Sequence, residues 1–200
     1  MLAFLVTAII VELTPGPNMT WLAVLGATRG RSAALVAVAG IALGLALAGL
    51  VAALGLTVVF DNFPSLMTGL RLAGTFYLFY LAYDAWTDAA QTEAITVKSN
   101  AAYFRQGFIS NALNPKAYLF YAAILPQFLT INDHPHQEIA VLTALYVGVA
   151  TFIHAVIALL AGSISSWLAT SPSATRLRRA LALAIAAAAI WFFISTGHLK

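Results

Sequence analysis

Thr14-Pro15-Gly16-Pro17-Asn18 interrupts the first apolar run of the chain. Two prolines around a glycine cannot continue an α-helix. Each proline lacks an N–H and its ring clashes with the preceding turn, and glycine adds backbone freedom at the bend. In lipid, freed backbone groups cost several kcal/mol unless protein or water satisfies them, so such a break must face protein or a water-filled cavity. A second break, Asn114-Pro115-Lys116, lies inside another apolar run. Two interrupted helices in corresponding places of two halves point to a binding site at mid-membrane.

The flanking sequence is that of a membrane protein. The 200 residues are 62% hydrophobic and 8% charged, with mean hydropathy +0.90, outside the range of soluble domains. No long polar segment divides the chain, so residues 1–200 are read as a single all-α membrane domain. Cysteine is absent, which excludes disulfides, thiolate metal sites and cysteine nucleophiles. The net charge of +3 is read as loop charge, with no nucleic-acid partner. The N-terminal segment lacks the basic region of a signal peptide and is read as a retained first span.

A span needs about 20 mostly apolar residues. Six are expected, near Leu2–Ala27, Ala34–Phe60, Ser65–Trp86, Phe104–Leu129, Ile139–Leu168 and Leu181–Ser195. Turns are expected at Asp61–Pro64 and Ile131–Gln137, and residues 89–103 are expected as a cytoplasmic loop between residues 1–88 and 104–200. Three spans per half invert the second half relative to the first, so a 3+3 inverted repeat with broken first and fourth helices is expected. Arg29, Arg31, Lys98, Arg105, Arg176, Arg178 and Arg179 flank one set of loops, and Arg71 and Lys200 the other. The positive-inside rule puts the first set in the cytoplasm. Gly40, Gly44, Ala48 and Ala52 form a small-residue stripe that permits close helix approach, within one chain or between two copies in a homodimer.

Glu12, Asp84 and Lys116 are ionisable residues inside apolar runs. Each costs at least about 2.5–3.5 kcal/mol at mid-membrane, so each needs a role or a partner. Glu12 is read either as the proton-coupling or substrate group or as half of a structural ion pair. Lys116 is read as a substrate ligand or as a cation bonding freed carbonyls. Asp84, nearer a span end, is a second proton-coupling candidate or a solvated interfacial carboxylate. His154 is expected as a packed polar residue. No nucleophile has an acid–base partner at a recognisable spacing, so no catalytic residue, cofactor or metal site is expected. Divalent-cation export, for which Glu12, Asp84 and His154 are the sole ligands on offer, and a non-transporting scaffold stand as rival readings.

Several strings in order resemble the LysE/RhtB family of bacterial amino-acid exporters: Leu13-Thr14-Pro15-Gly16-Pro17-Asn18-Met19, Gly40 with Gly44, Tyr77-Leu78, Gly107-Phe108, Asn111-Ala112-Leu113-Asn114-Pro115-Lys116-Ala117 and Pro126-Gln127-Phe128. The resemblance implies a multi-pass protein of the bacterial inner membrane that exports neutral or basic amino acids, driven by the proton gradient. Its two signatures fall on Pro15, Gly16, Pro17 and Asn18, and on Asn114, Pro115 and Lys116. These are the expected substrate-binding positions. A centre holding one acid, one base and two carboxamides is nearly neutral, which favours a zwitterion such as homoserine, threonine or leucine over a dication.

Overall fold

The computed structural model describes residues 1–54, 64–90, 99–130, 135–171 and 173–195, and these residues are helical with short connections. Of the turns expected at Asp61–Pro64 and Ile131–Gln137, residues 61–63 and 131–134 lie outside the described residues, while Pro64 and residues 135–137 open helices; residues 55–60 of the expected second span, Lys98, Pro172 and Lys200 also lie outside.

The first span is broken as its prolines require. Helix α1 (Leu2–Leu13) ends where Thr14 turns extended, and α2 (Pro17–Arg29) opens with Pro17 in its first turn, where a missing N–H costs nothing. The two helices meet at 64°. Thr14 bonds back to Ile10 through both its N–H and its hydroxyl, at 3.1 and 2.9 Å. Gly30, at φ +87°, is the sole residue between α2 and α3 (Arg31–Ala53). That left-handed conformation favours glycine.

Helix α4 spans Pro64–Ala90 and α5 spans Asn100–Ala112. The loop expected over residues 89–103 is therefore shorter. Residues 89–90 and 100–103 are helical, and residues 91–98 lie outside those described. Ser99 fixes the start of α5, its hydroxyl accepting from the Ala102 N–H at 3.3 Å, an ordinary N-cap.

The second break follows α5. Asn114 caps α6 (Pro115–Leu119) by accepting from the Lys116 N–H at 3.1 Å. The chain then continues as a π turn (Phe120–Ile124) and a 3₁₀ turn (Leu125–Phe128). Helix α7 (Pro135–Gly162) is followed by the short α8 (Ser165–Thr170). The single fifth span expected to Leu168 is thus interrupted at Ser163–Ile164. Helix α9 (Ala174–Ser195) starts earlier than the expected Leu181, its first two turns carrying Arg176, Arg178 and Arg179.

Among the described residues, three helices are long and apolar enough to cross a membrane, and four if α1 with α2 counts as one bent span. Large apolar side chains such as Leu47, Phe76, Phe152, Leu160 and Ile190 face outward, as lipid contact requires. The chain is a multi-pass α-helical membrane protein.

The helices are held together by close backbone approach. A Cβ at Gly40 on α3 would stand 2.1 Å from the Phe104 carbonyl of α5, and one at Gly107 on α5 would stand 2.1 Å from the Ala37 carbonyl of α3. On the other side of the bundle, Gly26 of α2 lies against Ala158 and Ala161 of α7. The small-residue stripe of α3 therefore packs within the chain, where van der Waals contact drives helix association in lipid.

Two apolar clusters result. One holds Trp21, Leu22, Ile41, Leu81, Ala158 and Ile185 at the arginine-rich end, and the other holds Phe4, Ala8, Leu45, Phe120, Tyr146 and Ala150 at the opposite end. Between them lie the buried polar residues Glu12, Asn18, Ser110, Asn111, Asn114 and His154, from α1, α2, α5, the second break and α7.

Candidate functional site

The two breaks face one another across this polar layer. A cavity of about 20 Å³ is lined by Glu12, Gly16 and Asn18 from the first break and by Asn111, Asn114 and Lys116 from the second, with Tyr146 and His154 from α7. That volume holds about one water, so the centre is nearly closed.

Glu12 is 5% exposed. Its Oε1 accepts from the Tyr146 hydroxyl at 2.5 Å, and its Oε2 lies 3.9 Å from His154 Nε2. A buried carboxylate needs such partners, because desolvation otherwise exceeds any local gain. Lys116 lines the same cavity but sends its ammonium to the Thr14 carbonyl at 3.3 Å. It therefore satisfies a backbone group that the first break has freed, the structural role weighed for it from sequence. Asn18 does not contact the second break's capping residue. Its Nδ2 donates to Asn111 Oδ1 at 3.2 Å and its Oδ1 accepts from Ser110 at 2.6 Å. Two buried nitrogens of this centre, Asn111 Nδ2 and His154 Nδ1, have no hydrogen-bond partner. Unmade bonds of this kind are costly in a dry interior.

Pro15 and Pro17 act through shape, as does Pro115, by setting the two breaks. They also line, with Gly16, Asn114 and Lys116, a second and larger cavity of about 220 Å³. Its remaining wall is mostly apolar, from Val11, Leu119, Phe120, Ile124, Trp191 and Phe192, with the hydroxyl residues Thr14 and Ser195 beside them. The junction of the breaks thus offers polar groups beside an apolar groove.

Asp84 stands apart. It accepts from Gln106 Nε2 at 3.3 Å and lines a separate cavity at the arginine-rich end, near the part-buried Arg29–Asp88 ion pair. Glu12 and His154 meet, and Asp84 does not join them. At the opposite end, a cavity of about 560 Å³ lies between the end of α3 and the start of α7, and Tyr121 forms part of its wall. The Tyr121 hydroxyl donates to the Leu45 carbonyl at 3.0 Å, and its ring packs edge-on against Tyr146, with centroids 5.6 Å apart. Tyr121 and Tyr146 thus separate this cavity from Glu12.

Sequence reasoning named Glu12, Asn18, Asn114 and Lys116 but missed Tyr146 and Ser110 as members of the site. Tyr146 and His154 are eight residues apart, about two helical turns, on one face of α7. That spacing of two polar groups in an apolar run was the available signal.

The LysE type translocator model matches residues 9–196. An uncharacterized membrane protein of Bacillus subtilis, YrhP, is 31% identical over 158 residues, 72% of this chain and 75% of its own length. The leucine efflux protein of Salmonella typhimurium is 31% identical over 141 residues, 68% of this chain and 66% of its own, just under two thirds. An uncharacterized membrane protein of Vibrio cholerae is also 31% identical, over 137 residues. No solved structure matches. The family match covers both breaks and every residue that lines the central cavity: the chain belongs to the LysE type translocator family.

Proposed function

We propose that this protein exports neutral amino acids, with an apolar amino acid such as leucine as the preferred cargo, across the bacterial inner membrane in exchange for protons. The observation that carries this reading is the pairing at the two breaks. A charged and carboxamide-lined centre adjoins a 220 Å³ apolar groove, which matches the head and the side chain of such a molecule. The leucine efflux relatives support the same cargo.

A zwitterion brings an ammonium and a carboxylate. Glu12 and the carbonyls freed at the break suit the ammonium. Lys116 and the N–H groups that open α2 suit the carboxylate, since a helix N-terminus carries positive partial charge. One acid and one base leave the site balanced for a cargo of no net charge, whereas a dication would need a further buried carboxylate. Asp84 lies in a different cavity and does not supply it.

Proton exchange is assigned to Glu12. Its bond from Tyr146 and its contact with His154 would break when a cargo ammonium takes their place, so protonation and cargo compete for one carboxylate. Alternating access of the central site between the arginine-rich end and the opposite end belongs to this reading.

The test is uptake of radiolabelled leucine into liposomes containing the purified chain, with unlabelled competitors. Leucine and other neutral amino acids should compete and lysine should not. Competition by lysine alone, or no leucine uptake at all, would overturn the reading.

A further inference from the structure

Buried polar groups continue beyond the central cavity. On α5, Gln106, Ser110 and Asn111 share one face with the capping Asn114, at helical spacing, and all four are buried. Ser110 and Asn111 bond Asn18 of α2, and Gln106 bonds Asp84 of α4. Asn111 Nδ2, fully enclosed, has no partner. This polar line ends in a cavity of about 40 Å³ at the arginine-rich end, lined by Trp21, Arg29, Asp84, Asp88, Gln106 and Arg178. In a membrane-spanning bundle, buried polar side chains face a pathway or one another.

The two helices beside the line belong to different packed pairs. Helix α5 is clamped to α3 through Gly40 and Gly107, and α2 is clamped to α7 through Gly26. Each pair joins one helix from residues 1–88 to one from residues 104–200. Rocking one sequence half against the other would have to pull both glycine contacts apart. Helix α3 is also held to α7, where a Cβ at Gly162 would stand 2.8 Å from the Arg31 backbone nitrogen, whereas α2 and α5 meet through the side-chain bonds of Asn18, Ser110 and Asn111. Tightly packed interfaces behave as units, and motion concentrates at the weaker seams between them.

We propose that the α2–α5 seam is the passage from the arginine-rich end to the centre, with the Asp84–Arg178 cavity as its mouth. The mouth carries carboxylates and guanidinium groups together, which suits both ends of a zwitterion. The carboxamides and the hydroxyl along the seam supply donors and acceptors in turn. The nature of the cargo rests on the function proposed above, but the location of the passage does not.

The chain contains no cysteine, so single cysteines report cleanly. Gln106→Cys and Ser110→Cys probe the seam, and Ala37→Cys and Ala158→Cys probe the two clamps. All four sites are buried in the present state. The full-length variants are reconstituted and treated with a small thiol reagent, with and without leucine. The seam cysteines should label several-fold faster than the clamp cysteines in at least one condition. Equal labelling of Ala37→Cys or Ala158→Cys, or seam cysteines closed in both conditions, would overturn the proposal. Loss of a leucine effect while the seam still labels without leucine would count against the cargo and leave the passage supported. Crosslinking gives a second readout. A Cβ at Gly26 would stand 3.2 Å from Ala161 Cβ, close to disulfide range. The Gly26→Cys/Ala161→Cys disulfide should leave transport at the rate of its reduced form, and transport restored only by reductant would contradict a rigid α2–α7 pair.

Discussion

The Tyr146 hydroxyl donates to Glu12 Oε1 at 2.5 Å, joining α7 to the last turn of α1 across 134 residues of sequence. Both groups are buried, so the bond forms away from water and its loss leaves a carboxylate without its best donor. Removing one partner of a buried pair costs more than the pair's net contribution.

Tyr146→Phe should therefore lower stability by roughly 1–3 kcal/mol, the penalty for an unsatisfied buried acceptor. The ring keeps its stack on Phe120, with centroids 3.5 Å apart, so the fold should persist. Detergent-based thermal unfolding measures the first effect, and leucine transport at several pH values measures the second. The pH profile of transport should move in Tyr146→Phe. An unchanged profile would separate this hydroxyl from the Glu12 chemistry.

Gly40→Leu and Gly107→Leu should each disrupt the α3–α5 contact. Overpacking a tight interface costs about 1–3 kcal/mol and often more, and here the nearest atoms are backbone. Size-exclusion chromatography should show loss of folded protein rather than a folded protein of new oligomeric state. A well-folded variant with altered association would instead place this stripe between copies of the chain.

Arg29 and Asp88 should be energetically coupled. They pair with side chains 9% and 20% exposed, so the loss on removing one partner should lie between the roughly 0.2–1 kcal/mol of an exposed pair and the about 3–5 kcal/mol of a fully buried one. The double variant Arg29→Met/Asp88→Leu should recover part of what either single change loses. Additive losses in a double-mutant cycle would show that the pair is not coupled.

The apolar groove should set cargo size. Leu119→Ala and Ile124→Ala widen the wall that the cargo side chain meets, and a methylene in such a pocket is worth about 1–3 kcal/mol of discrimination. Competition assays should show a shift toward larger side chains, such as phenylalanine, relative to leucine. An unaltered order of preference would remove the groove from recognition.

Breaks were legible in the sequence because proline and glycine act locally. Thr14–Asn18 and Asn114–Lys116 need no tertiary information to interrupt a helix. The convergence of Glu12 with Lys116 on one cavity followed from placing both at the breaks. Partners contributed from afar were not legible. Tyr146 reaches Glu12, and Ser110 reaches Asn18, only because glycine contacts bring α5 and α7 against the first half. The small-residue stripe was visible, but whether it faced its own chain depended on Phe104 and Ala37 meeting Gly40 and Gly107. Of residues 89–103, expected as a loop because they are the longest polar stretch, 89–90 and 100–103 are helical, held by contacts that sequence alone does not show. In the fold Asp88 pairs with Arg29 and Tyr103 is buried in the arginine-end core.

The account turns on Glu12 as the group shared by proton and cargo. The most direct measurement is proton flux driven by a leucine gradient, read with an internal pH dye in liposomes containing wild-type protein or Glu12→Gln. Wild-type protein should move protons opposite to leucine. Glu12→Gln, which removes both the proton site and the carboxylate proposed to meet the cargo ammonium, should lose leucine-driven proton flux and keep at most weakened leucine exchange. Proton flux that persists in Glu12→Gln alongside leucine transport would contradict the account.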